Sequence, residues 1–176
     1  GSLKRVGFIA LLKLSESKEG GVACHEATFK APKMDRARLI EALKANVSPI
    51  FCVVTDTDEV VLRWLKESVL VEPVWYSARI SSDETIKVWT VDNPERIRLI
   101  SGQISGLDAW VADGHHRFQA AFSKRQLSRW VMAYFTSRAD PGLRVRAFHR
   151  VVHYPKGTSD GWVNRIEALC ELKPVK

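Results

Sequence analysis

Trp110 to Gln119 reads WVADGHHRFQ, and the fold around it follows from this stretch. Its first residues are apolar and continue from Ala109, which is typical of a short strand, whereas the pattern from Phe118 onward is helical. Gly114 stands between the two, where a residue without a side chain permits a sharp turn and the close approach of a ligand. The stretch therefore predicts a strand, a tight turn and a helix that continues to about Gln126.

The side chains of this turn suit an anion. Arg117 offers a planar fork of donors to phosphate oxygens, His115 and His116 can donate or relay protons, and Asp113 can bind Mg²⁺ or orient a histidine. The positive end of a helix adds to the attraction for a phosphate, and Gly114 lets the phosphate approach the backbone. The alternative is purely structural, with Asp113 capping an exposed, polar helix start.

The rest of the chain alternates extended and helical patterns, which predicts an α+β fold with a mixed sheet and flanking helices. In chain order we expect a hairpin of Arg5–Leu14 with Val22–Thr28, a helix from Asp35 to Val47, a strand at Ile50–Thr55, a helix at Thr57–Val69, two extended runs within Trp75–Val91 and a helix at Asn93–Ser105. Downstream we expect paired strands at Trp130–Thr136 and Arg144–His153, followed by a helix at Trp162–Leu169.

The composition and charge of the chain limit the kinds of partner that the protein can have. Of the 176 residues 45% are hydrophobic, enough for a core, and no apolar run approaches the roughly 20 residues that cross a bilayer, so no membrane partner is expected. The net charge of +7 favours anionic ligands. Its basic residues are scattered, and no basic recognition helix is visible, so nucleic acid is not expected as a partner. Three widely spaced cysteines suit a reducing, cytoplasmic setting.

A second polar cluster follows the second predicted strand. His25 and Glu26 place a carboxylate beside an imidazole, which makes Glu26 a candidate base. The alternative is that Glu26 is a surface residue paired with a lysine. Further candidate contacts to phosphate or substrate are His25, Thr28, Lys33, Arg36, His149 and Arg150, and Lys30 or Lys33 could offset developing charge. The alternative for His149 and Arg150 is a pair of edge-strand residues.

Three segments carry a family resemblance: HEATFKAPKMDRARLIEALKANVSPIF from His25, ADGHHRFQAAF from Ala112, and DPGLRVRAFHRVV from Asp140. They resemble a bacterial and archaeal family of unknown function whose hallmarks are HE.T, DR..L, N.SPIF, ADGHHRY.TA and a late P.HR. The resemblance covers roughly Arg5 to Val152. That family in turn resembles the free L-serine kinases, which transfer phosphate from ADP or ATP to L-serine, and through them the ParB/sulfiredoxin-like fold.

The resemblance implies a function for both polar clusters. Asp113 to Arg117 would form the phosphate-binding turn, with Asp113, His115 and His116 also catalytic, and Asp113 holding Mg²⁺. Glu26 would take the proton of the substrate hydroxyl. The expected ligands are ADP or ATP with Mg²⁺ and a small hydroxylated metabolite, L-serine giving O-phosphoserine. The sequence departs from the family at Phe118, where Tyr is usual, and at Gln119, where Glu is usual.

Two other functions remain open from the sequence. One is a nucleotide-responsive ParB-like module that regulates, or touches DNA, without phosphate transfer. The other is a degenerate relative that binds an anion without turnover. A homodimer is also left open. For domain organisation we expect an expression-vector remnant at residues 1–2, a nucleotide-binding domain at 3–156 and the start of a truncated C-terminal region at 157–176.

Overall fold

The computed structural model describes residues 4–15 and 22–146, together with the single positions Gly161, Asn164, Arg165 and Ala168. Within these residues the elements follow the order β1 (Phe8–Lys13), β2 (Val22–Ala23), α1 (Lys30–Leu43), β3 (Ile50–Val54), α2 (Val60–Val71), β4 (Val74–Arg79), β5 (Thr85–Trp89), α3 (Pro94–Ser105), β6 (Ala109–Asp113), α4 (His115–Ser123) and β7 (Trp130–Ser137). The mixed α+β class predicted from the sequence is confirmed.

A mixed sheet of five strands, in the order β1-β7-β3-β6-β2, forms the centre of the described structure. Its central strand, β3, alternates buried and half-buried residues, and Ile50, Cys52 and Val54 are fully buried on the face toward the core. Burial raises the pKa of the Cys52 thiol to about 12, so this group stays neutral and acts as a small apolar side chain.

Helices α2, α3 and α4 cover this face of the sheet. Val61 and Leu65 of α2, Ile100 of α3 and Ala121 of α4 join the buried residues of the strands in one core cluster. Helix α1 packs beside α4. None of the helices described by the structure is long and apolar enough to cross a membrane.

Strand pairing corrects one prediction that matters for the site. The predicted hairpin between the first two strands is wrong, because β1 pairs antiparallel with β7 and β2 pairs parallel with β6, at opposite edges of the sheet. The two extended runs predicted within Trp75–Val91 are confirmed as β4 and β5, which pair as a hairpin in a separate two-stranded sheet. β7 is a strand as predicted, but Arg144 to Arg146 are not in a strand, and the rest of its predicted partner lies outside the described residues.

Helix α2 begins at Val60, three residues later than predicted, and the starts of α1 and α4 are earlier than predicted. Helix α1 begins at Lys30 and contains Asp35, which therefore does not cap it. Helix α4 begins at His115, three residues earlier than the pattern from Phe118 indicates. The shifts of α1 and α4 move polar residues from a loop into the first turns of a helix.

The chain divides into two compact units, Gly1–Arg144 and Val145–Lys176, and every element named above lies in the first. The expected boundary after residue 156 lies outside the described residues. Within the predicted helix Trp162–Leu169, Asn164 and Arg165 are helical, and the amide of Ala168 donates to the carbonyl oxygen of Asn164 at 3.1 Å. The other positions of that prediction are not described.

Candidate functional site

The turn between β6 and α4 has the geometry that the sequence predicts. Strand β6 ends at Asp113, and Gly114 follows in the left-handed region with a φ of 86°. A Cβ atom at this glycine would lie 2.9 Å from the guanidinium Nε of Arg117, closer than a side chain tolerates. Position 114 therefore needs glycine for its backbone conformation, and a side chain there would also force the Arg117 side chain to shift.

The start of α4 has no internal cap. Gly114 is the N-cap residue, so the alternative in which Asp113 caps this helix is wrong, and no side chain in the described part of the chain bonds to the first amides. Helix α1 likewise has no side-chain cap, and its N-cap residue is Phe29. The first amides of a helix have no partner within the helix, so they are available to a ligand at both starts, and the helix dipole favours an anion there.

Arg117 is held between two parts of the fold. Its Nη2 donates to Oδ2 of Asp113 at 2.9 Å, and its Nη1 donates to Oγ of Ser48 at 2.8 Å. Ser48 comes within reach because β3 and β6 are antiparallel, with Phe51 opposite Asp113, so the start of one strand lies beside the end of the other. The guanidinium is thereby fixed in orientation next to the helix start.

Glu26 meets His115 across the same edge of the sheet. Its Oε2 lies 3.0 Å from Nδ1 of His115, which is 5% exposed, whereas the Glu26 side chain is 60% exposed. The ring of His25 packs edge-on against that of His115, with centroids 4.7 Å apart. Glu26 is thus paired with a histidine rather than with a lysine. The buried Nε2 of His115 has no hydrogen-bond partner among the described residues.

The parallel pairing of β2 with β6 explains this meeting. Ala23, the last residue of β2, lies opposite Trp110, so the residues that follow β2, including Glu26, leave the sheet at the edge where β6 ends. The carboxyl ends of parallel strands share one edge of a sheet, which is where ligands commonly bind in α/β structures. The antiparallel hairpin expected from the sequence would not have brought these two segments together.

His116 contacts the start of α1. Its Nε2 accepts a hydrogen bond from the backbone amide of Phe29 at 3.1 Å, and the two rings lie nearly parallel, at 15°, with centroids 6.3 Å apart. Because Nε2 is the acceptor, the neutral ring carries its proton on Nδ1. The two helix starts are therefore tied to each other by one backbone-to-side-chain bond.

These groups line one cleft of about 500 Å³. Its wall consists of residues from both polar clusters, from the first turns of α1 and from the segment before β3: Glu26, Pro32, Arg36, Ser48, Asp113, Gly114, His115, His116 and Arg117. Pro32, Ser48 and the contact of Phe29 were not predicted as parts of the site. The signal for Ser48 was present in the N.SPIF motif, but its bond to Arg117 depends on strand register, which local sequence does not reveal.

The remaining predicted contacts lie elsewhere. Lys33 lines a neighbouring groove of about 290 Å³ between α1 and α4. Thr28 is half-buried and Lys30 is exposed, and neither lines the cleft. His149 and Arg150 lie outside the described residues. Among residues 4–15 and 22–146, no group of three or more His, Cys, Asp or Glu side chains is arranged to hold a metal ion.

Comparison with known proteins identifies the family. The family model described as "Protein of unknown function (DUF1015)" matches residues 1–175, so the chain belongs to this family. No curated protein and no solved structure matches the chain at a significant level.

Proposed function

We propose that this protein is a small-molecule kinase, which transfers phosphate from ADP or ATP to the hydroxyl group of a small metabolite, with L-serine as the first acceptor to test. The observation that carries the proposal is the position of the Glu26 carboxylate, 3.0 Å from His115 and within the cleft formed at the uncapped start of α4. A base beside an anion site is the minimum that phosphate transfer to an alcohol requires.

The phosphate end of the nucleotide is assigned to the start of α4. Free amides at a helix start and the fixed guanidinium of Arg117 are the donors that phosphate oxygens take in proteins. Arg36, on the facing helix α1, lines the same cleft and adds a second positive charge. Such groups stabilise the charge that develops on the transferred phosphate, and most of the rate enhancement in phosphate transfer comes from this positioning and charge stabilisation.

Glu26 is assigned as the base. Nδ1 of His115 engages Oε2 and orients the carboxylate, and the Glu26 side chain is 60% exposed, so the carboxylate can be reached by the hydroxyl of an acceptor. The hydroxyl oxygen of the acceptor attacks the terminal phosphorus, a new O–P bond forms, and the bond to the leaving nucleotide breaks. The hydroxyl proton goes to Glu26.

Asp113 fits the Mg²⁺ that accompanies nucleotides. Its side chain is 74% exposed within the cleft, and one of its oxygens is engaged by Arg117. Mg²⁺ is usually bound by one or two carboxylates together with phosphate oxygens and water, so a single carboxylate is sufficient here. The ion would neutralise charge on the phosphates, while Arg117 keeps the Asp113 carboxylate oriented.

The free thiols of Cys24 and Cys52 fit a reducing compartment, and we propose the cytoplasm. The ParB/sulfiredoxin-like fold, too, is part of the proposal: the mixed sheet with flanking helices is compatible with it.

The test is formation of O-phosphoserine from L-serine with ADP or ATP and Mg²⁺, followed by ³¹P NMR. Glu26→Gln keeps the shape of the side chain but removes the base, so we expect the rate to fall by about 100-fold or more while ATP affinity is retained. Glu67→Gln is the matched control, because Glu67 is exposed on α2 and does not line the cleft. Transfer by Glu26→Gln at the rate of the wild type would contradict the proposal.

The non-catalytic module differs from the kinase in one measurable respect. If calorimetry shows that the wild type binds ATP but no product forms with L-serine or with a panel of other hydroxylated metabolites, the nucleotide-responsive module replaces the kinase. DNA binding at low ionic strength would then separate a DNA-associated module from a purely nucleotide-binding one.

A further inference from the structure

The side chain of Phe29 neither caps helix α1 nor contributes much to the core. It is the N-cap residue of α1, where Ser, Thr, Asp or Asn normally accepts a bond from the first amides, and it supplies no such bond. Its side chain is 75% exposed, so it adds little to the core. An exposed aromatic ring at a helix start costs stability relative to a capping residue, which points to a use outside folding.

The backbone of Phe29 is nevertheless held in place. Its amide donates to Nε2 of His116 at 3.1 Å, and its ring lies nearly parallel to that of His116. This hydrogen bond depends on the backbone and not on the phenyl group. The residue is therefore fixed while most of its ring surface remains in contact with solvent.

The ring lies at the margin of the cleft described above. His116 lines the cleft on α4, and Pro32 and Arg36, on the first turns of α1, line it from the other helix. The cleft wall itself is formed by charged and polar side chains, glycine and proline. Phe29 thus offers an aromatic surface directly beside a site suited to phosphates.

We propose that Phe29 is the stacking platform for the base of the bound nucleotide. This inference rests on the proposed nucleotide-binding function and adds the means by which the organic end of the ligand is recognised. Every nucleobase has a π face that stacks on an aromatic ring, so such a platform favours nucleotides over inorganic polyphosphate. Without base-edge contacts it discriminates weakly among adenine, guanine and cytosine nucleotides.

The experiment compares two ligands by isothermal titration in the presence of Mg²⁺: ATP, which has a base, and inorganic tripolyphosphate, which has none. Loss of a base–aromatic stack weakens binding by about fivefold or more, so Phe29→Ala should lose at least that factor for ATP. Its affinity for tripolyphosphate should stay at the wild-type value. Phe29→Leu, which keeps an apolar side chain without a π face, should behave like Phe29→Ala, and Phe29→Trp should retain ATP affinity.

Leu70→Ala is the matched control, since Leu70 is an 82% exposed apolar residue on α2 and does not line the cleft. It should change neither affinity. If Phe29→Ala and Phe29→Leu keep the wild-type ratio of ATP to tripolyphosphate affinity, the platform is wrong and the phosphate site stands. If the wild type binds neither ligand, the proposed function fails, and the platform fails with it.

Discussion

Helices α3 and α4 begin in opposite ways. At α3 the side-chain oxygen of Asn93 accepts from the amides of Glu95 and Arg96 at 2.9 and 3.1 Å, and Pro94 and Glu95 add the favoured first-turn residues. At α4 a glycine replaces the capping side chain and basic residues follow. The first amides of α3 are thus hydrogen-bonded within the protein. Those of α4 have no side-chain partner, so they and the positive end of the helix dipole are open to an anion.

The starts of α1 and α2 differ from each other in the same way. Near the start of α2, the buried carboxylate of Asp56 accepts from the amides of Val61 and Leu62 at 3.1 and 2.9 Å. Helix α1 resembles α4, because no described side chain caps it and its first turn contributes to the cleft. Side-chain oxygens thus satisfy the helix starts away from the cleft, while both starts at the cleft remain uncapped. This distribution is expected if the cleft binds an anion through these amides.

The largest expected effect is at Arg117. Replacement by Ala removes the donors that face both Asp113 and the proposed phosphate, and hydrogen bonds of charged groups contribute about 1.5–3 kcal/mol each. We expect ATP affinity to fall roughly tenfold to 100-fold in calorimetric titrations. Arg98→Ala is the control, because it removes the same charge from an exposed position on α3. Equal losses in the two variants would mean that net charge, and not the cleft, attracts the nucleotide.

Asp56→Ala tests a helix start whose amides are hydrogen-bonded by a side chain of the protein. The change removes the acceptor of two buried amides, so the free energy of unfolding should fall by about 2 kcal/mol in urea titrations. ATP affinity should not change, since Asp56 serves only the fold. Asp56→Asn, which retains a side-chain oxygen acceptor, should recover part of the stability. A loss of ATP affinity in folded Asp56→Ala protein would contradict the claim that the start of α2 serves the fold and that only the helix starts at the cleft bind the ligand.

Gly114→Ala has a smaller expected effect on stability and acts on the site as well. The left-handed φ and the short distance to Arg117 predict a loss of about 1 kcal/mol in the free energy of unfolding, together with weaker ATP binding. Gly106→Ala is a suitable comparison, because Gly106 has a φ of −92° and open space around it. If Gly114→Ala bound ATP as well as Gly106→Ala does, the close approach at this turn would have no functional role.

Local sequence predicted those parts of the fold that local physics determines. The strand, turn and helix around Gly114, the capped helix from Asn93 and the hairpin of β4 and β5 follow from a flexible residue, a capping residue and alternating patterns. The partners of β1 and β2 could not be predicted in this way. Strand pairing depends on contacts between residues far apart in the chain, and these two strands do not pair with each other.

The same limit applies to the site. The sequence singled out both polar clusters as candidates, but the contact between Glu26 and His115 depends on the parallel register of β2 and β6. Ser48 and Phe29 were missed for the same reason, since their contacts with α4 are made across the fold. From the sequence, helix capping is the structural alternative for Asp113, because Asp before a helix commonly acts as its N-cap. With Gly114 in the N-cap position, Asp113 pairs with Arg117 instead.

The central claim is that the uncapped start of α4 binds the phosphates of a nucleotide. The most direct measurement is an NMR titration of ¹⁵N-labelled protein with ATP and Mg²⁺, in which backbone amide signals are followed one by one. The amides of His115, His116 and Arg117 should show the largest shifts, while those of Glu95 and Arg96, already bonded to Asn93, should not move. Saturable ATP binding that leaves the signals of residues 115–117 unchanged would contradict the account.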